Sequence, residues 1–179
     1  MNIFGAEPSY ANAAPANEVI PRIWLGSFHS ARDDEWLRTH GIQIIFNCTK
    51  DLPFTPCETV EARYRVPVHD NLEPAEIKAL ASFSASVAYE IVKHYKEGKT
   101  ILIHCAAGMQ RSAACTAFFL ISFTGCNADD AIKYIKSKRH IAFTPGVNFL
   151  PAIQYFDKYF HEEIATKFSS SSQPSQASL

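Results

Sequence analysis

The sequence predicts one α/β domain, in which helices flank a central, mostly parallel and twisted sheet of about five strands. Two short runs, residues 42–48 and 101–103, are too apolar for exposed strands and are typical of strands covered on both faces. These runs alternate with segments of helical periodicity, as in parallel sheets with crossover helices. The 179 residues, 47% of them apolar, are enough for one domain with its own core.

The first half of the chain predicts a helix, two strands and a second, longer helix. Ser30 is expected to cap the first helix, with Asp33 in its first turn and an end before Gly41. Residues 42–48 then predict a central parallel strand, and residues 63–68 predict a shorter one. A long amphipathic helix follows, and its apolar residues at helical spacing are Ile77, Leu80, Val87, Ile91 and Tyr95.

The second half repeats this alternation. Strand 101–103 leads through a short loop into a helix-forming run that extends from Ser112 to Phe123. Asn127 is expected to cap a further helix that continues through Lys138. The core-facing residues of a last helix are Phe149, Ile153, Phe156, Phe160 and Ile164. We expect the domain to span residues 17–167, between a flexible N-terminal segment (1–16) and a disordered tail rich in Ser and Gln (168–179).

Composition and charge argue against several classes of function. The formal net charge is −1 and the pI about 6.6, so no global field favours nucleic acid or a membrane surface. We see no secretory signal and no apolar span long enough to cross a bilayer. Five cysteines without Cys-x-x-Cys spacing favour a reducing compartment, so we expect the cytoplasm, with the nucleus as the alternative. No metal-binding spacing is present, and we expect no cofactor.

The most informative segment is residues 104–112, His-Cys-Ala-Ala-Gly-Met-Gln-Arg-Ser, between a strand and a helix. Its cysteine and arginine, Cys105 and Arg111, have the spacing that allows one loop to wrap a tetrahedral phosphate. The N–H groups of the loop and of the first helical turn then converge on one point, which favours an oxyanion. Gly108 tolerates a positive φ within the loop. The alternative is an inert cysteine, since free cysteine is among the most buried residue types.

These residue types define a chemistry for phosphate monoesters. Loop amides, the helix N-terminus and Arg111 are expected to lower the pKa of Cys105 and make it a nucleophile. The planar guanidinium can hold two phosphate oxygens, while the loop amides stabilise the shifting charge. Ser112 is expected to stabilise the sulfur when it leaves. The phosphate-binding residues are Ala106, Ala107, Gly108, Met109, Gln110 and Arg111.

Asp70 is the candidate for the acid that such a reaction needs. It follows the predicted strand 63–68, and catalytic groups often lie on loops at strand ends in open α/β sheets. It would protonate the leaving group and then act as a base for water. A capping or turn role is the alternative for Asp70, and His69 and Glu73 are rival residues.

These segments resemble the dual-specificity branch of the cysteine-dependent protein phosphatases in its compact, single-domain form. The similarity covers residues 18–166, and its matching stretches, in family order, are 18–27, 41–47, 64–70, 104–112 and 117–121. It implies Cys105 as nucleophile, Arg111 as phosphate binder and Asp70 as general acid. It also suggests that His104 tunes the thiolate and that Ser112 assists its release.

The chain departs from the family pattern just before its last helix. The family often has Pro-Asn there, with a Phe three residues after the Asn, and that Asn braces the phosphate loop. This chain instead has Pro145-Gly-Val-Asn148-Phe149. The stretch between Asp70 and Cys105 is also about one helical turn longer than usual in the family.

The uncharged loop residues favour a phosphoprotein substrate. Relatives that act on phosphoinositides usually have lysines in this loop, and those that act on RNA 5′-phosphates tend to have His and Asn-Arg-Thr. We therefore expect hydrolysis of phosphotyrosine and of phosphoserine or phosphothreonine on proteins through a cysteinyl-phosphate. A lipid or RNA 5′-phosphatase is the alternative. A phosphate-binding module without activity and a rhodanese-like or arsenate-reducing enzyme fit less well. We expect a monomer or a weak homodimer.

Two further hypotheses come from the resemblance. Arg139, with Lys136, falls where relatives have a basic pocket for a second acidic or phosphorylated residue; the alternative is a solvated helix C-terminus. Cys48 ends a strand that should neighbour the one leading to Cys105. Some relatives have a cysteine here that forms a disulfide with the catalytic one under oxidation; the alternative is a buried, inert thiol.

Overall fold

A computed structural model describes residues 13–167 of the chain. The predicted flexible segment is therefore described only from residue 13 onward, and the predicted tail lies outside the described residues. The described part forms a five-stranded sheet of order β1-β2-β5-β3-β4. Its strands are β1 (Ala16–Ile20), β2 (Ile23–Gly26), β3 (Ile44–Asn47), β4 (Ala62–Arg65) and β5 (Ile101–His104). Only β1 and β2 pair antiparallel, which confirms the predicted, mostly parallel sheet.

Helices cover both faces of this sheet. They are α1 (Phe28–Ala31), α2 (Asp34–Thr39), α3 (Pro74–Lys96), α4 (Arg111–Thr124), α5 (Ala128–Lys138) and α6 (Leu150–Tyr159), and α6 continues into a π-helical segment, Phe160–Ala165. Every residue of β3 and β5 is buried. Their alternate side chains pack into two clusters, a large one with α3 to α6 and a smaller one with α1 and α2. Burial on both faces explains why these strands are continuously apolar.

Two predicted elements differ in the structure. The helix predicted to begin at a Ser30 cap and to end before Gly41 is two short helices. Ser30 is not a cap: it lies inside α1, which ends at Ala31, and its hydroxyl donates to the Ser27 carbonyl at 2.7 Å. Asp33 instead caps α2 by accepting the Trp36 N–H at 3.0 Å. The strand predicted at 63–68 is β4 at Ala62–Arg65, and Pro67, which has no N–H, cannot extend the ladder. The Asn127 cap of α5 is confirmed, since its side chain accepts the Asp130 N–H at 2.9 Å.

Four parallel strands, β2 to β5, end at the same edge of the sheet, and this edge positions the candidate site. The chain leaves β3 at Cys48, reaches Asp70 in the loop after β4, and enters the signature loop at Cys105 after β5. The carboxyl ends of parallel strands are the usual location of binding sites in open α/β sheets. Within residues 13–167, no helix combines the length and apolar character that a membrane span needs.

Candidate active site

The signature loop connects β5 to α4, and its carbonyl groups point away from its interior. The Ala106 carbonyl accepts a hydrogen bond from the Phe28 N–H at 3.0 Å, and the Met109 carbonyl accepts one from the Phe143 N–H at 2.8 Å. In a trans peptide, the N–H of the next residue points opposite to the carbonyl. Outward carbonyls therefore turn the loop's N–H groups toward a common centre, where they can bind an oxyanion.

Arg139 holds the two carbonyls between these. Its Nε donates to the Gly108 carbonyl at 2.8 Å, and its Nη2 donates to the Ala107 carbonyl at 3.1 Å. Its Nη1 donates to the Ala14 carbonyl at 2.8 Å and to Asn17 Oδ1 at 2.7 Å. All four carbonyls from residue 106 to residue 109 are thus held from outside the loop.

This placement weighs against the hypothesis that Arg139 forms a basic pocket for a second acidic group, which stays a prediction. The side chain is 1% exposed, and its burial lowers the pKa of Arg139 to about 10, which keeps it cationic at neutral pH. It borders a cavity of about 530 Å³ beside the loop, but it offers almost none of its surface there. Lys136 is exposed on α5, and its part in such a pocket stays a prediction.

Gly108 brings the loop close to the end of β2. Its φ is +70°, in the left-handed region that favours glycine. A Cβ at this position would lie 2.5 Å from the carbonyl carbon and oxygen of Gly26, which are backbone atoms that cannot move aside easily. The loop can therefore pack in this position only with glycine at residue 108.

Cys105 has its sulfur directed toward two donors of the loop and helix. Sγ accepts hydrogen bonds from the Ser112 hydroxyl at 3.1 Å and from the Gly108 N–H at 3.3 Å. Burial of the side chain disfavours the thiolate, but the Arg111 guanidinium, the Ser112 hydroxyl and the N–H groups of Ser112 and Met109 outweigh it. The pKa of Cys105 therefore lies below its ordinary value, which makes the sulfur a better nucleophile at neutral pH.

Arg111 is oriented but retains donors for a ligand. Its Nη1 donates to the Val68 carbonyl at 3.2 Å, which ties the guanidinium to the loop that carries Asp70. Its Nε is buried and has no hydrogen-bond partner among residues 13–167. A buried N–H without a partner is costly, and an anion bound in the loop would satisfy it. The arrangement therefore fits a phosphate group.

His104 ends β5 and is 1% exposed. Burial lowers the pKa of His104 to about 4, so the imidazole is neutral at pH 7. Its Nδ1 lies 3.2 Å from the Cys105 carbonyl, which can only accept, so Nδ1 carries the proton. The hypothesis that His104 tunes the thiolate stays a prediction, and it applies to a neutral ring that donates a hydrogen bond to the Cys105 carbonyl.

Asp70 and Arg111 line one cavity of about 550 Å³. Asp70 is exposed, and its Oδ1 accepts a hydrogen bond from Asn148 Nδ2 at 2.8 Å. His69 also lines this cavity, whereas Glu73 is the N-terminal capping position of α3. The remaining residues that line it are Thr49, Asp51, Leu52, Asn71 and Ala106.

Cys48 lies near a cysteine that the sequence reasoning did not consider. Its Sγ is 3.6 Å from Cys115 Sγ on α4, and both residues are fully buried. Burial, followed by the hydrogen bond with Cys115, raises the pKa of Cys48 well above its ordinary value. The hypothesis of a disulfide between Cys48 and Cys105 stays a prediction, and the structure adds Cys115 as a competing partner.

Two interactions of the site could not be read from the sequence. Gln110, expected only to bind phosphate through its amide, uses its side chain to hold the segment before α6. Asn148 belongs to that segment and contacts Asp70 rather than the phosphate loop with its side chain. The departure at 145–149 marked this segment as unusual, but its contacts depend on the tertiary structure.

Comparison with known proteins supports the same interpretation. The family model described as dual specificity phosphatase, catalytic domain, matches residues 23–158. Among curated relatives, tyrosine-protein phosphatase vhp-1 of Caenorhabditis elegans is 26% identical over 158 residues, which is 87% of this chain and 23% of the relative. Human dual specificity protein phosphatase 2 is 28% identical over 154 residues, which is 84% of this chain and 46% of the relative. The chain thus spans less than half the length of these relatives.

Solved structures of similar size superpose on the chain. A mouse putative dual specificity phosphatase covers 89% of this chain and 95% of its own, with 25% identity and a TM-score of 0.70. Human DUSP28 covers 83% of this chain and 96% of its own, with 26% identity and a TM-score of 0.70. The loop geometry, the family model and these neighbours agree with one another. The chain belongs to the dual specificity phosphatase family, whose catalytic domain it contains.

Proposed function

We propose that this protein hydrolyses phosphomonoesters on proteins, both phosphotyrosine and phosphoserine or phosphothreonine, with residues 17–167 as its catalytic domain. The observation that carries the proposal is the set of hydrogen bonds and the lowered pKa at Cys105. Its sulfur accepts two hydrogen bonds, the pKa of its thiol is lowered, and it belongs to a loop whose carbonyls from residue 106 to residue 109 are held outward. A buried thiol with no chemical role would need neither feature.

In the proposed reaction, four side chains act together with the loop amides. Cys105 Sγ forms a bond to phosphorus while the bond from phosphorus to the leaving oxygen breaks, and Asp70 gives its proton to that oxygen. Water then attacks the phosphocysteine, the S–P bond breaks, and Asp70 takes a proton from the water. The Ser112 hydroxyl, 3.1 Å from the sulfur, stabilises the departing thiolate. Arg111 and the loop amides bind the phosphate oxygens in both steps.

The open mouth of the site supports a protein substrate of either kind. Ala106, Ala107 and Asp70 are exposed, so the site is accessible from a broad surface. The side chains between Cys105 and Arg111 carry no charge to balance the additional phosphates of an inositide. Tungstate, which is present with zinc in the similar mouse structure, is a tetrahedral oxyanion of the shape that this loop would accept.

We further propose phosphorylated proteins as the partners, and the cytoplasm, with the nucleus as the alternative, as the compartment. All five cysteines are free, and a thiol nucleophile requires a reducing environment to stay active. We also propose that the enzyme works as a monomer or a weak homodimer. Sedimentation at micromolar concentration tests the oligomeric state, and a stable higher oligomer would contradict it.

A substrate panel tests the proposed activity. The wild-type protein is expected to hydrolyse phosphotyrosine and phosphothreonine peptides and to prefer both to an inositide phosphate and to an RNA 5′-phosphate. Cys105→Ser should lower kcat by at least about a thousandfold. Activity confined to phosphotyrosine would contradict dual specificity, and a preference for the inositide or the RNA would support the alternative scaffold function.

A further inference from the structure

We infer that Asn148 is a positioning residue for the general acid, because it holds the Asp70 carboxylate so that one defined oxygen delivers the proton. The inference rests on the proposed function and adds how the site orients its acid. Asn148 Nδ2 donates to Asp70 Oδ1 at 2.8 Å. No other group within residues 13–167 makes a hydrogen bond or ion pair with that carboxylate.

The backbone of the acid loop is anchored just before Asp70, but its side chain is not. Arg111 donates to the Val68 carbonyl, and the His69 N–H donates to Glu76 Oε2 at 2.8 Å. These bonds fix the main chain leading to Asp70. The carboxylate itself is exposed and would otherwise rotate among several rotamers, so the bond from Asn148 selects one of them.

Asn148 is itself held against the phosphate loop. Its N–H donates to Gln110 Oε1 at 3.0 Å, and Gln110 Nε2 donates to the carbonyls of Gly146 at 2.7 Å and Thr144 at 3.2 Å. Gln110 is 4% exposed, and Phe149, the next residue after Asn148, is 1% exposed. Asn148 is therefore fixed on both sides, and it ties the acid to the same loop that carries the nucleophile.

This arrangement belongs to the segment in which the chain departs from the family pattern. Gly146 follows the proline directly, where the family often has its Asn. The Gly146 carbonyl accepts from Gln110, and the asparagine of this chain stands two positions later with its amide toward Asp70. The contact is thus a property of this chain's own residues at 110, 146 and 148.

The contact defines which carboxyl oxygen carries the proton. Oδ1 accepts from an amide N–H, so the proton of the acid form is placed on Oδ2. In the first step, Oδ2 releases this proton to the leaving oxygen as the P–O bond breaks and the S–P bond forms. In the second step, Oδ2 receives a proton from water as the S–P bond breaks. Without Asn148, the carboxyl group would spend less time in the productive orientation.

Two aryl phosphates of nearly equal size test the inference. Phenyl phosphate has a basic leaving group that needs an acid, whereas 4-nitrophenyl phosphate has a stabilised leaving group that depends on it less. Asn148→Ala is expected to lower kcat/KM for phenyl phosphate roughly tenfold, which is smaller than the loss expected when the general acid itself is missing. The same substitution should change kcat/KM for 4-nitrophenyl phosphate less than threefold. Asn148→Asp, which keeps the shape but cannot donate, should show the same selectivity.

A double-mutant cycle with Asp70→Asn gives the decisive comparison. If Asn148 acts through Asp70, adding Asn148→Ala to Asp70→Asn should not lower kcat/KM for phenyl phosphate any further relative to 4-nitrophenyl phosphate. Asn71→Ala is the matched control. Asn71 lies in the same loop as Asp70, but its side chain accepts from the Glu73 N–H at 3.0 Å instead of donating to the Asp70 carboxylate. Any effect of that control should be equal for the two esters.

The outcomes separate this inference from the proposed function. If Asn148→Ala slows both esters equally, or slows them further in the Asp70→Asn background, the inference is wrong while the enzyme assignment stands. If Asp70→Asn leaves phenyl phosphate hydrolysis unchanged, both the acid assignment and the inference fail. If Cys105→Ser retains full activity, the proposed function itself is wrong.

Discussion

At the level of single residues, two opposing influences act on the sulfur of Cys105. Its burial favours the neutral thiol, whereas the chemistry requires the thiolate. Arg111 contributes a positive charge, and Ser112 and the loop N–H groups contribute hydrogen bonds to the anion. Together they exceed the cost of burial. In the proposed reaction Ser112 has a second role, because it lies beside the sulfur that leaves in the second step.

Ser112→Ala removes one donor from this balance. The pKa of Cys105 is expected to rise toward the ordinary value for cysteine, because the thiolate loses a hydrogen bond that favours it. The rate of alkylation by iodoacetamide against pH should show a midpoint at higher pH than in the wild type. Hydrolysis of the phosphocysteine should slow by about a hundredfold, as for loss of one transition-state donor. An unchanged alkylation profile would contradict the role given to Ser112.

Peroxide oxidation tests the hypothesis of a disulfide between Cys48 and Cys105. Peroxide would oxidise the Cys105 thiolate to a sulfenic acid, and attack by the Cys48 sulfur would form the disulfide and release water. The raised pKa of Cys48 keeps it protonated and should make this step slow. Mass spectrometry is expected to find a peptide cross-linked between 48 and 105. A cross-link only between Cys48 and Cys115, 3.6 Å apart at sulfur, would show the hypothesis to be wrong.

At the level of elements, the phosphate loop keeps its shape because neighbouring segments hold its carbonyls. The start of α1 binds a loop carbonyl through the Phe28 N–H, and the segment after α5 binds the others through Arg139 and the Phe143 N–H. The end of β2 packs against the loop where Gly26 approaches Gly108. The loop sequence alone predicted a phosphate-binding loop, because Cys105, Arg111 and Ser112 lie within one short segment. Its outer supports come from distant parts of the chain and became visible only in the fold.

Arg139→Ala should weaken the loop for every substrate. Loss of the guanidinium leaves the Ala107 and Gly108 carbonyls without their donors, so kcat/KM is expected to fall about tenfold or more for singly and doubly phosphorylated peptides alike. Lys136→Ala, on the preceding helix α5, provides the comparison. A loss confined to doubly phosphorylated peptides, in either variant, would support the hypothesis of a basic substrate pocket instead.

Gly108→Ala should disrupt the contact between the loop and β2. The added Cβ meets the Gly26 backbone, and the positive φ is unfavourable for alanine, so we expect a loss of about 2 kcal/mol or more in the free energy of unfolding. Activity should fall strongly as well. Gly41→Ala is the matched control, because its φ is +62° but a Cβ there has no neighbour within 4 Å. Equal effects of the two changes would contradict the steric argument.

At the level of the whole molecule, the alternation of buried strands and amphipathic helices made the fold predictable. Strands β3 and β5 were recognisable because burial on both faces leaves a continuous apolar run. The end of β4 and the break between α1 and α2 were not recognisable. Pro67 prevents β4 from extending, and the Asp33 cap begins a new helix at α2. The contact from Asn148 to Asp70 spans 78 positions, and no local pattern encodes it.

The buried His104 predicts how stability depends on pH. In the unfolded chain it titrates near 6.5, and in the folded protein near 4, so between these values only the unfolded state binds the proton. Stability from this group is complete above pH 6.5 and is lost as the pH falls toward 4, by about 3 kcal/mol in all. Urea unfolding at pH 7.5 and 4.5 should show a larger drop for the wild type than for His104→Gln. Equal drops would contradict the assignment.

The reach of Arg139 has a practical consequence for anyone preparing shortened forms of this polypeptide. Its guanidinium rests on Ala14 and Asn17, which precede the stretch that the family model matches, 23–158. A fragment trimmed to those limits would retain Cys105, Arg111 and Asp70. It would lose the Ala14 and Asn17 oxygens that orient Arg139, the residue that holds the phosphate loop. Such a fragment should bind phosphate analogues poorly even where it remains folded, and we therefore expect residues upstream of the matched stretch to contribute to phosphate binding.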